Sequence, residues 1–206
     1  MAQHVSKNLG TYGAQASQLA ASYNSLSTPE ILPDFATHVL SLPDRAYKRA
    51  LDIGCGSGRD AFWIAQQGMA VDAVDGAPAM LDAARTTHAH PLVHYIEDNA
   101  PTLPALQALG RKYDVVLMSA FLFHFDAEER QAFYKVLTPL LRAASYLYVT
   151  LRHGPVPAGR IMHGVPLQEL ENFAKAHNGE SQYLGLKDDP LKRLGVCWDH
   201  VSLQMK

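Results

Sequence analysis

Short apolar runs alternate along the chain with segments whose apolar residues recur at helical spacing. The run at residues 50–53, Ala-Leu-Asp-Ile, is typical of a strand buried on both faces. Strands that alternate with helices form a parallel sheet joined by right-handed crossovers, so the pattern predicts an α/β fold. The predicted strands lie at about residues 50–53, 69–75, 92–96, 113–119, 145–151, 182–186 and 196–203, and the predicted helices between them at about 60–67, 77–88, 104–110, 127–141 and 166–177.

Two further helices are predicted in residues 1–47, ahead of the first strand. The first spans about residues 14–26. The second opens at Thr28-Pro29-Glu30 and runs to about residue 42, because a cap residue, a proline and an acid in the first turn are typical of a helix start. The segment either covers an edge of the sheet or acts as a lid that closes Tyr12 or Tyr23 over a bound ligand.

Three glycines follow the first strand at alternate positions, in the run Gly54-x-Gly56-x-Gly58. Such a turn lets the backbone approach a ligand, and the next helix, which Asp60 is predicted to cap, offers free N–H groups. The dinucleotide fingerprint G-x-G-x-x-G differs, since Arg59 takes the place of its third glycine. Asp52 would repel a pyrophosphate and attract an ammonium group. The turn therefore predicts a nucleoside ligand with a cationic amino-acid tail.

An acidic residue, Asp75, ends the second predicted strand, 17 residues beyond Gly58. Nucleotide-binding folds place an acid at close to this distance against the ribose hydroxyls. A carboxylate can accept hydrogen bonds from both hydroxyls. The alternative is an ordinary turn acid before Gly76. Because Asp75 follows both a glycine turn and a strand, ribose binding is the prediction.

The run Asp52-x-Gly54-x-Gly56-x-Gly58, with Asp75 beyond it, resembles motif I and the ribose-binding acid of the Rossmann-like (class I) S-adenosylmethionine-dependent methyltransferases. The resemblance implies a doubly wound, mainly parallel seven-stranded sheet with a C-terminal antiparallel hairpin. It implies a single domain over residues 1–206, with a helical N-terminal cap at 1–47 and a Rossmann-like core at 48–206. S-adenosylmethionine is then the cofactor, S-adenosylhomocysteine is the product, and no metal is required.

The same resemblance assigns residues to parts of the cofactor. Met80 is expected near the adenine, and Asp98 at its polar edge together with the backbone N–H of Asn99; Glu97 competes with Asp98 for this role. The end of the fourth strand is expected beside the methionine part, because ligands bind at the carboxyl ends of strands. The cofactor-binding residues are thus predicted to be Asp52, Gly54, Cys55, Gly56, Asp75, Gly76, Met80, Asp98, Asn99, Ser119 and Ala120, with Tyr12 as the lid residue.

Candidate catalytic and acceptor-binding residues follow the fourth and fifth predicted strands. His124 is either structural, packed under the site, or a general base. A loop is predicted to begin at Arg152, and His153 in it could take a proton from the acceptor. Arg152 or Arg160 could hold a carboxylate or phosphate, and a surface loop with solvated charges is the alternative. Tyr23 is a further candidate for contact with the substrate.

Composition narrows the class of partner. The chain has 206 residues and a net charge of −2, so no basic field indicates nucleic acid or an anionic membrane. No apolar run approaches membrane-spanning length. The two cysteines, Cys55 and Cys197, have no metal-ligand spacing. A cytoplasmic protein without zinc or a disulfide framework is therefore expected, and the oligomeric state is left open.

The sequence predicts S-adenosylmethionine-dependent methyl transfer to an oxygen, nitrogen or sulfur atom of a small molecule by in-line displacement. Residues 119–121 lack the Asn/Asp-Pro-Pro-aromatic run of enzymes that methylate nucleic-acid amino groups, and residues 58–61 resemble small-molecule methyltransferases of the tellurite-resistance kind. The alternatives are an aminopropyltransferase, a nicotinamide-dependent dehydrogenase, and a cofactor-binding regulatory or interaction protein without turnover.

Overall fold

A computed structural model describes residues 3–206, with side chains from Asn8 onward, and a seven-stranded sheet organises them. The strands are β1 (Arg49–Ile53), β2 (Ala70–Asp75), β3 (Val93–Glu97), β4 (Tyr113–Met118), β5 (Leu141–His153), β6 (Glu180–Asp188) and β7 (Cys197–Gln204). Their order across the sheet is β3-β2-β1-β4-β5-β7-β6. The first five pair in parallel, and β7 is antiparallel to both β5 and β6. The doubly wound sheet with a C-terminal antiparallel hairpin is thus confirmed.

Helices cover both faces of this sheet. Over residues 3–206 they are α1 (Gln3–Ala14), α2 (Ala16–Asn24), α3 (Thr28–Ile31), α4 (Pro33–Ser41), α5 (Arg59–Gln66), α6 (Pro78–Thr87), α7 (Pro104–Ala108), α8 (Ala127–Leu137) and α9 (Leu167–Ala176). In this part of the chain, none of them is long and apolar enough to cross a membrane.

The sheet separates two hydrophobic cores. On one face, Phe133 of α8 and Phe173 of α9 belong to the same buried cluster as the central strands. On the other face, Phe35 of α4 and Ile64 of α5 pack in a second cluster with Tyr148 of β5. Burial on both faces explains why the sequences of the central strands are nearly continuous apolar runs.

The helices before β1 differ from the prediction at their boundaries. The expected helix at 14–26 is α2, and α1 precedes it, so the N-terminal segment holds more helix than predicted. The expected helix at 28–42 is divided at Leu32, which has φ −127° and ψ 56°. Pro33 causes the division, because a proline lacks the N–H that a continuing helix needs and disfavours helical backbone at the residue before it.

The prediction that Asp60 caps α5 is wrong. The N-cap is Gly58, at φ 78°, a left-handed conformation that glycine adopts without strain. Asp60 instead lies buried in the first turn, where it accepts a 2.6 Å hydrogen bond from the hydroxyl of Thr28 and pairs with Arg59 at 2.6 Å. A carboxylate in the first turn of a helix is favoured by the helix dipole. Asp60 therefore joins α3 to α5.

The chain changes its direction of winding between β1 and β4. From β1 it moves outward to β2 and β3, then returns to β4 on the opposite side of β1. In open α/β sheets such a switch point leaves a crevice at the carboxyl ends of the strands, where ligands bind. The glycine turn follows β1 at this crevice, so a ligand-binding site is expected there.

Candidate functional site

A cavity of about 540 Å³ lies at this crevice and is closed from above by α1, α2 and the segments after β5 and β6. Its volume is within the range of small-molecule sites. Apart from His153 and the competing acid Glu97, the residues predicted from the sequence to bind the cofactor or the acceptor line it. These are Tyr12, Tyr23, Asp52, Gly54, Cys55, Gly56, Asp75, Gly76, Met80, Asp98, Asn99, Ser119, Ala120, His124, Arg152 and Arg160.

The glycine turn forms the floor of the cavity. Gly54, Gly56 and Gly58 all have positive φ, at 75°, 53° and 78°, a region that side chains with a Cβ rarely occupy. A Cβ on Gly54 would also lie 2.8 Å from the ring of Phe121. The backbone N–H groups of Gly54 and Cys55 both donate to the carbonyl of Val74, at 2.8 and 3.0 Å. The turn is thus anchored to the end of β2.

Asp75 anchors the turn from the same strand end. One carboxylate oxygen accepts a 2.8 Å hydrogen bond from the backbone of Gly56, and the other accepts one of 2.8 Å from the backbone of Ala77. This role in holding the loop was not predicted from the sequence. Each oxygen retains a lone pair for a ligand hydroxyl. Burial raises the pKa of Asp75, because it disfavours the charged carboxylate. A hydrogen-bond donor that enters the cavity would stabilise that charged form.

Two buried side-chain oxygens in the cavity have no hydrogen-bond partner within the described residues. They are Oδ2 of Asp52 and Oδ1 of Asn99. Burial and the nearby Asp60 raise the pKa of Asp52 well above its ordinary value. A buried acceptor without a donor is unfavourable until a ligand supplies one. Both residues therefore fit S-adenosylmethionine, which carries an ammonium group and an adenine amino group.

Asp98 is placed differently from its expected role. Its two oxygens accept hydrogen bonds from the backbone N–H groups of Asn99, at 2.9 Å, and Leu106, at 2.8 Å. The Asn99 N–H, which the resemblance assigned to the adenine edge, is therefore engaged by the neighbouring side chain. The competing acid, Glu97, is exposed at the end of β3. Of the two acids, Asp98 is the one that lines the cavity.

His153 is the candidate catalytic residue that the structure does not bring to the cavity. The expected loop at Arg152 is a continuation of β5, and successive side chains on a strand point to opposite faces. Arg152 lines the cavity, whereas His153 pairs with Asp199 at 2.7 Å on the other side. Tyr183 donates to the second oxygen of Asp199 at 2.9 Å. The assignment of His153 as the proton acceptor for a substrate is corrected on this ground.

His124 belongs to a partly buried cluster of side chains that the sequence did not reveal. Its Nε2 lies 3.2 Å from the hydroxyl of Tyr12, which accepts a 3.2 Å hydrogen bond from Arg160. The guanidinium of Arg160 also lies 4.3 Å from the centre of the Tyr12 ring. Burial, Arg160 and His163 lower the pKa of His124 to about 3, and burial raises the pKa of Tyr12. Both rings are therefore neutral near pH 7.

The helix α1 is fastened across the cavity to the segment after β5. The amide of the buried Asn8 donates to the carbonyl of Ile161 at 2.8 Å and accepts from its N–H at 2.9 Å. The hydroxyl of Thr11 donates to the carbonyl of Gly159 at 3.2 Å. No local pattern in the sequence relates residues 153 positions apart. The ring of Tyr23, from α2, lies over the turn at Gly56 rather than near this clasp.

No group of three or more His, Cys, Asp or Glu side chains in the described part of the chain is arranged to hold a metal ion.

Comparison with known proteins gives a family and a set of related folds. Residues 50–144 match a family model described as a methyltransferase domain. No curated protein matches the chain.

Several solved structures have a similar fold. One is Burkholderia thailandensis 1,6-didemethyltoxoflavin-N1-methyltransferase with bound 1,6-didemethyltoxoflavin and S-adenosylhomocysteine. Its identity is 15% and its TM-score is 0.70, and the match covers 100% of this chain and 92% of that chain. Magnesium protoporphyrin IX methyltransferase from Synechocystis PCC 6803, with bound S-adenosylmethionine, has 15% identity and a TM-score of 0.66, covering 100% and 86%. A methyltransferase from Archaeoglobus fulgidus has 14% identity and a TM-score of 0.65, covering 87% and 93%.

The matched segment contains the features on which the site is built. Residues 50–144 hold the glycine turn, the acids at the ends of β1 and β2, and the end of β4. The solved structures, at this low identity, add the fold and extend it to the C-terminal hairpin. Over residues 50–144 the chain is therefore similar to methyltransferase domains, and its fold is the one that the solved S-adenosylmethionine-dependent methyltransferases share.

Proposed function

We propose that this chain transfers a methyl group to an oxygen, nitrogen or sulfur atom of a small molecule. The observation that carries the proposal is a cavity with a glycine turn and buried acids at one end and a separate set of polar and aromatic side chains at the other. S-adenosylmethionine supplies a methyl group on a positively charged sulfur, which needs no covalent activation. The protein's task is then to align the two reactants and exclude water.

We assign the inner end of the cavity to the cofactor. Asp75 accepts hydrogen bonds from the ribose hydroxyls, and Asp52 attracts the ammonium group. The unpartnered oxygen of Asn99 receives the adenine amino group, and Asp98 holds the backbone of Asn99 in place. The remaining wall residues of this end are Gly54, Cys55, Gly56, Gly76, Met80, Ser119 and Ala120.

Tyr12, His124 and Arg160 orient the acceptor in this proposal. Tyr12 stays protonated and His124 stays neutral near pH 7, because burial opposes the charged form of each. A group with a pKa near that of His124 is a weak proton acceptor at neutral pH. The acceptor therefore enters with a lone pair already available, and the three side chains hold it in place.

The names of two related folds support a small acceptor. One acts on a toxoflavin precursor and the other on magnesium protoporphyrin IX, by their names. Neither identifies the acceptor of this chain, since the identity to each is 15%. The cavity gives the independent support, because its volume of about 540 Å³ suits small molecules.

Methyl transfer is tested by incubating the purified chain with S-adenosylmethionine labelled in the methyl group and with pools of phenols, amines, thiols and carboxylic acids. We expect release of S-adenosylhomocysteine and transfer of the label in at least one pool. Release of methylthioadenosine from decarboxylated cofactor would instead indicate aminopropyl transfer. Tight cofactor binding without turnover in any pool would favour a regulatory protein.

Cofactor affinity is expected to rise with pH. The pKa of Asp52 is raised in the free protein, mainly by burial and by Asp60, and an ammonium group beside it lowers that pKa. Binding therefore releases a proton, and S-adenosylhomocysteine should bind more tightly as the pH rises toward the raised pKa of Asp52. Calorimetry in buffers of different ionisation enthalpy measures this release.

The matched variants for this experiment are Asp52→Asn and Asp44→Asn. The first removes the titrating carboxyl and should remove most of the pH dependence, leaving the smaller contribution of Asp75, whose pKa is also raised by burial. The second changes an exposed acid away from the cavity and should leave the dependence unchanged. An identical pH profile for Asp52→Asn and the unmodified protein would show that Asp52 does not meet the ammonium group.

The clasp between α1 and the segment after β5 is expected to retain the cofactor. Asn8→Ala removes both hydrogen bonds to Ile161, a loss of about 1–2 kcal/mol, so S-adenosylhomocysteine should dissociate about 10-fold faster. Stopped-flow tryptophan fluorescence follows this step, because Trp198 lines the cavity. Asn172→Ala, which changes an exposed asparagine on α9, is the control. If both variants release the ligand at the unmodified rate, α1 is not a lid.

A further inference from the structure

Ionisable residues of both signs line the cavity. Three acids surround the glycine turn at the inner end; Asp52 and Asp98 are buried, and Asp75 is partly buried. Arginines from β5, from the segment after it and from the segment between β6 and β7 line the outer end; they are Arg152, Arg160 and Arg193. The inner acids suit the cationic cofactor. The outer arginines require a separate explanation.

One of these arginines is satisfied by the protein itself. The Nη2 atom of Arg193 pairs with Asp189 Oδ1 at 2.6 Å, and its Nε donates to Oδ2 at 2.9 Å. This bidentate arrangement is the strong form of an arginine–carboxylate pair. Arg59 at the inner end is paired in the same way, with Asp60.

Arg152 has no such partner. Its Nη1 donates only to the carbonyl of Gly154, at 3.3 Å, and to the sulfur of Met162, at 3.9 Å. Its Nε is buried without a hydrogen-bond partner. Among the residues that the structure describes, no carboxylate lies within 4.0 Å of this guanidinium. Most of its five donors therefore await an acceptor.

Arg160 is also unpaired within the described chain. It donates to the hydroxyl of Tyr12 and stacks on that ring, but no carboxylate neutralises it. Met162, which contacts Arg152, is two residues further along the same segment. Burial, Arg193 and Arg160 together lower the pKa of Arg152, so the two unpaired cations repel each other. An anion between them would remove that repulsion and satisfy the free donors.

We infer that Arg152 and Arg160 form a binding site for an oxyanion of the acceptor, so that the methyl acceptor is a small acid bearing a carboxylate or phosphate. This inference rests on the proposed function and adds the substrate class. The remainder of the acid is apolar or aromatic, because the same end of the cavity is lined by Phe123 and Trp198, with ring centres 6.1 Å apart. The two arginines together with these aromatic rings favour a flat aromatic acid over a flexible polar acid.

The test uses three probes that share a phenyl ring: benzoate, phenyl phosphate and the uncharged benzamide. Each is titrated by calorimetry into the full chain saturated with S-adenosylhomocysteine. We expect at least one anion to bind about 10-fold or more tightly than benzamide, which is about 1.4 kcal/mol. The tighter of the two anions identifies the oxyanion as a carboxylate or a phosphate.

Variants assign the site to the two arginines. Arg152→Met and Arg160→Met should each weaken the anion about 10-fold and leave benzamide unchanged, and Arg152→Lys should recover part of the loss by restoring the charge. Arg142→Met is the matched control, because Arg142 lies on the same strand, β5, but is half-exposed and outside the cavity. It should bind every probe as the unmodified protein does.

Two outcomes overturn this inference alone. In the first, neither anion binds more tightly than benzamide. In the second, an anion does, but both methionine variants retain its affinity. In each case S-adenosylhomocysteine still binds, so the proposed function stands. Failure of S-adenosylhomocysteine to bind the unmodified chain would instead overturn the proposed function.

Discussion

Replacing Asp75 with alanine is expected to weaken S-adenosylmethionine binding by about 2–3 kcal/mol, or 30- to 150-fold. Two losses combine in this variant. The ribose hydroxyls lose their acceptor, and the backbone N–H groups of Gly56 and Ala77 lose the carboxylate that fixes the turn. Calorimetric titration measures the affinity directly. Asp75→Asn keeps one acceptor oxygen and should fall between alanine and the unmodified protein.

The matched control for this experiment is Asp82→Ala. Asp82 lies on α6, close in sequence to Asp75, but its side chain is 76% exposed and pairs only with Arg85. Removing this carboxylate changes the net charge by the same amount without touching the cavity. Its cofactor affinity should stay within about twofold of the unmodified protein. Equal affinities for Asp75→Ala and Asp82→Ala would remove Asp75 from the site.

Replacing Gly58 with alanine is expected to lower the free energy of unfolding by about 2–5 kcal/mol. The backbone there has φ 78°, and a Cβ would lie 2.5 Å from the hydroxyl of Tyr95 and 2.9 Å from Cβ of Ala84. Both strain and steric overlap therefore oppose any side chain. Urea unfolding followed by circular dichroism gives the free energy.

Gly68→Ala separates these two causes. Gly68 also has positive φ, at 90°, but no atom lies within 4 Å of the Cβ that alanine would add. Gly68→Ala should therefore lower the free energy of unfolding through backbone strain alone, by about 1–2 kcal/mol. Adding Tyr95→Phe to Gly58→Ala removes the nearest clashing atom and should recover part of the loss. If Gly58→Ala is no less stable than Gly68→Ala, the contact with Tyr95 does not constrain the turn.

The sequence predicted the parts of the site that depend on local rules. A glycine turn after a buried strand, and an acid at the end of the next strand, follow from backbone freedom and strand periodicity over a few residues. These rules located Gly54, Asp52 and Asp75, all of which line the cavity. The alternation of strands and helices likewise gave the sheet, because right-handed crossovers leave few topologies to choose from.

The rest of the site depends on contacts between distant segments. The clasp from Asn8 to Ile161 and the cluster of Tyr12, His124 and Arg160 join the N-terminal helix α1 to segments more than 100 residues away. No local pattern encodes such pairs. His153 was misassigned for a related reason: β5 runs two residues beyond its predicted end, and strand alternation turns Arg152 toward the cavity and His153 away from it.

Calorimetric titration of the purified chain with S-adenosylmethionine, S-adenosylhomocysteine and NADH tests directly whether the cavity binds S-adenosylmethionine. The acids and the glycine turn predict that the first two bind with micromolar or tighter affinity and that NADH does not bind, because Asp52 repels a pyrophosphate. Binding of NADH, or failure of both S-adenosyl compounds to bind, would contradict the assignment of the cavity to S-adenosylmethionine.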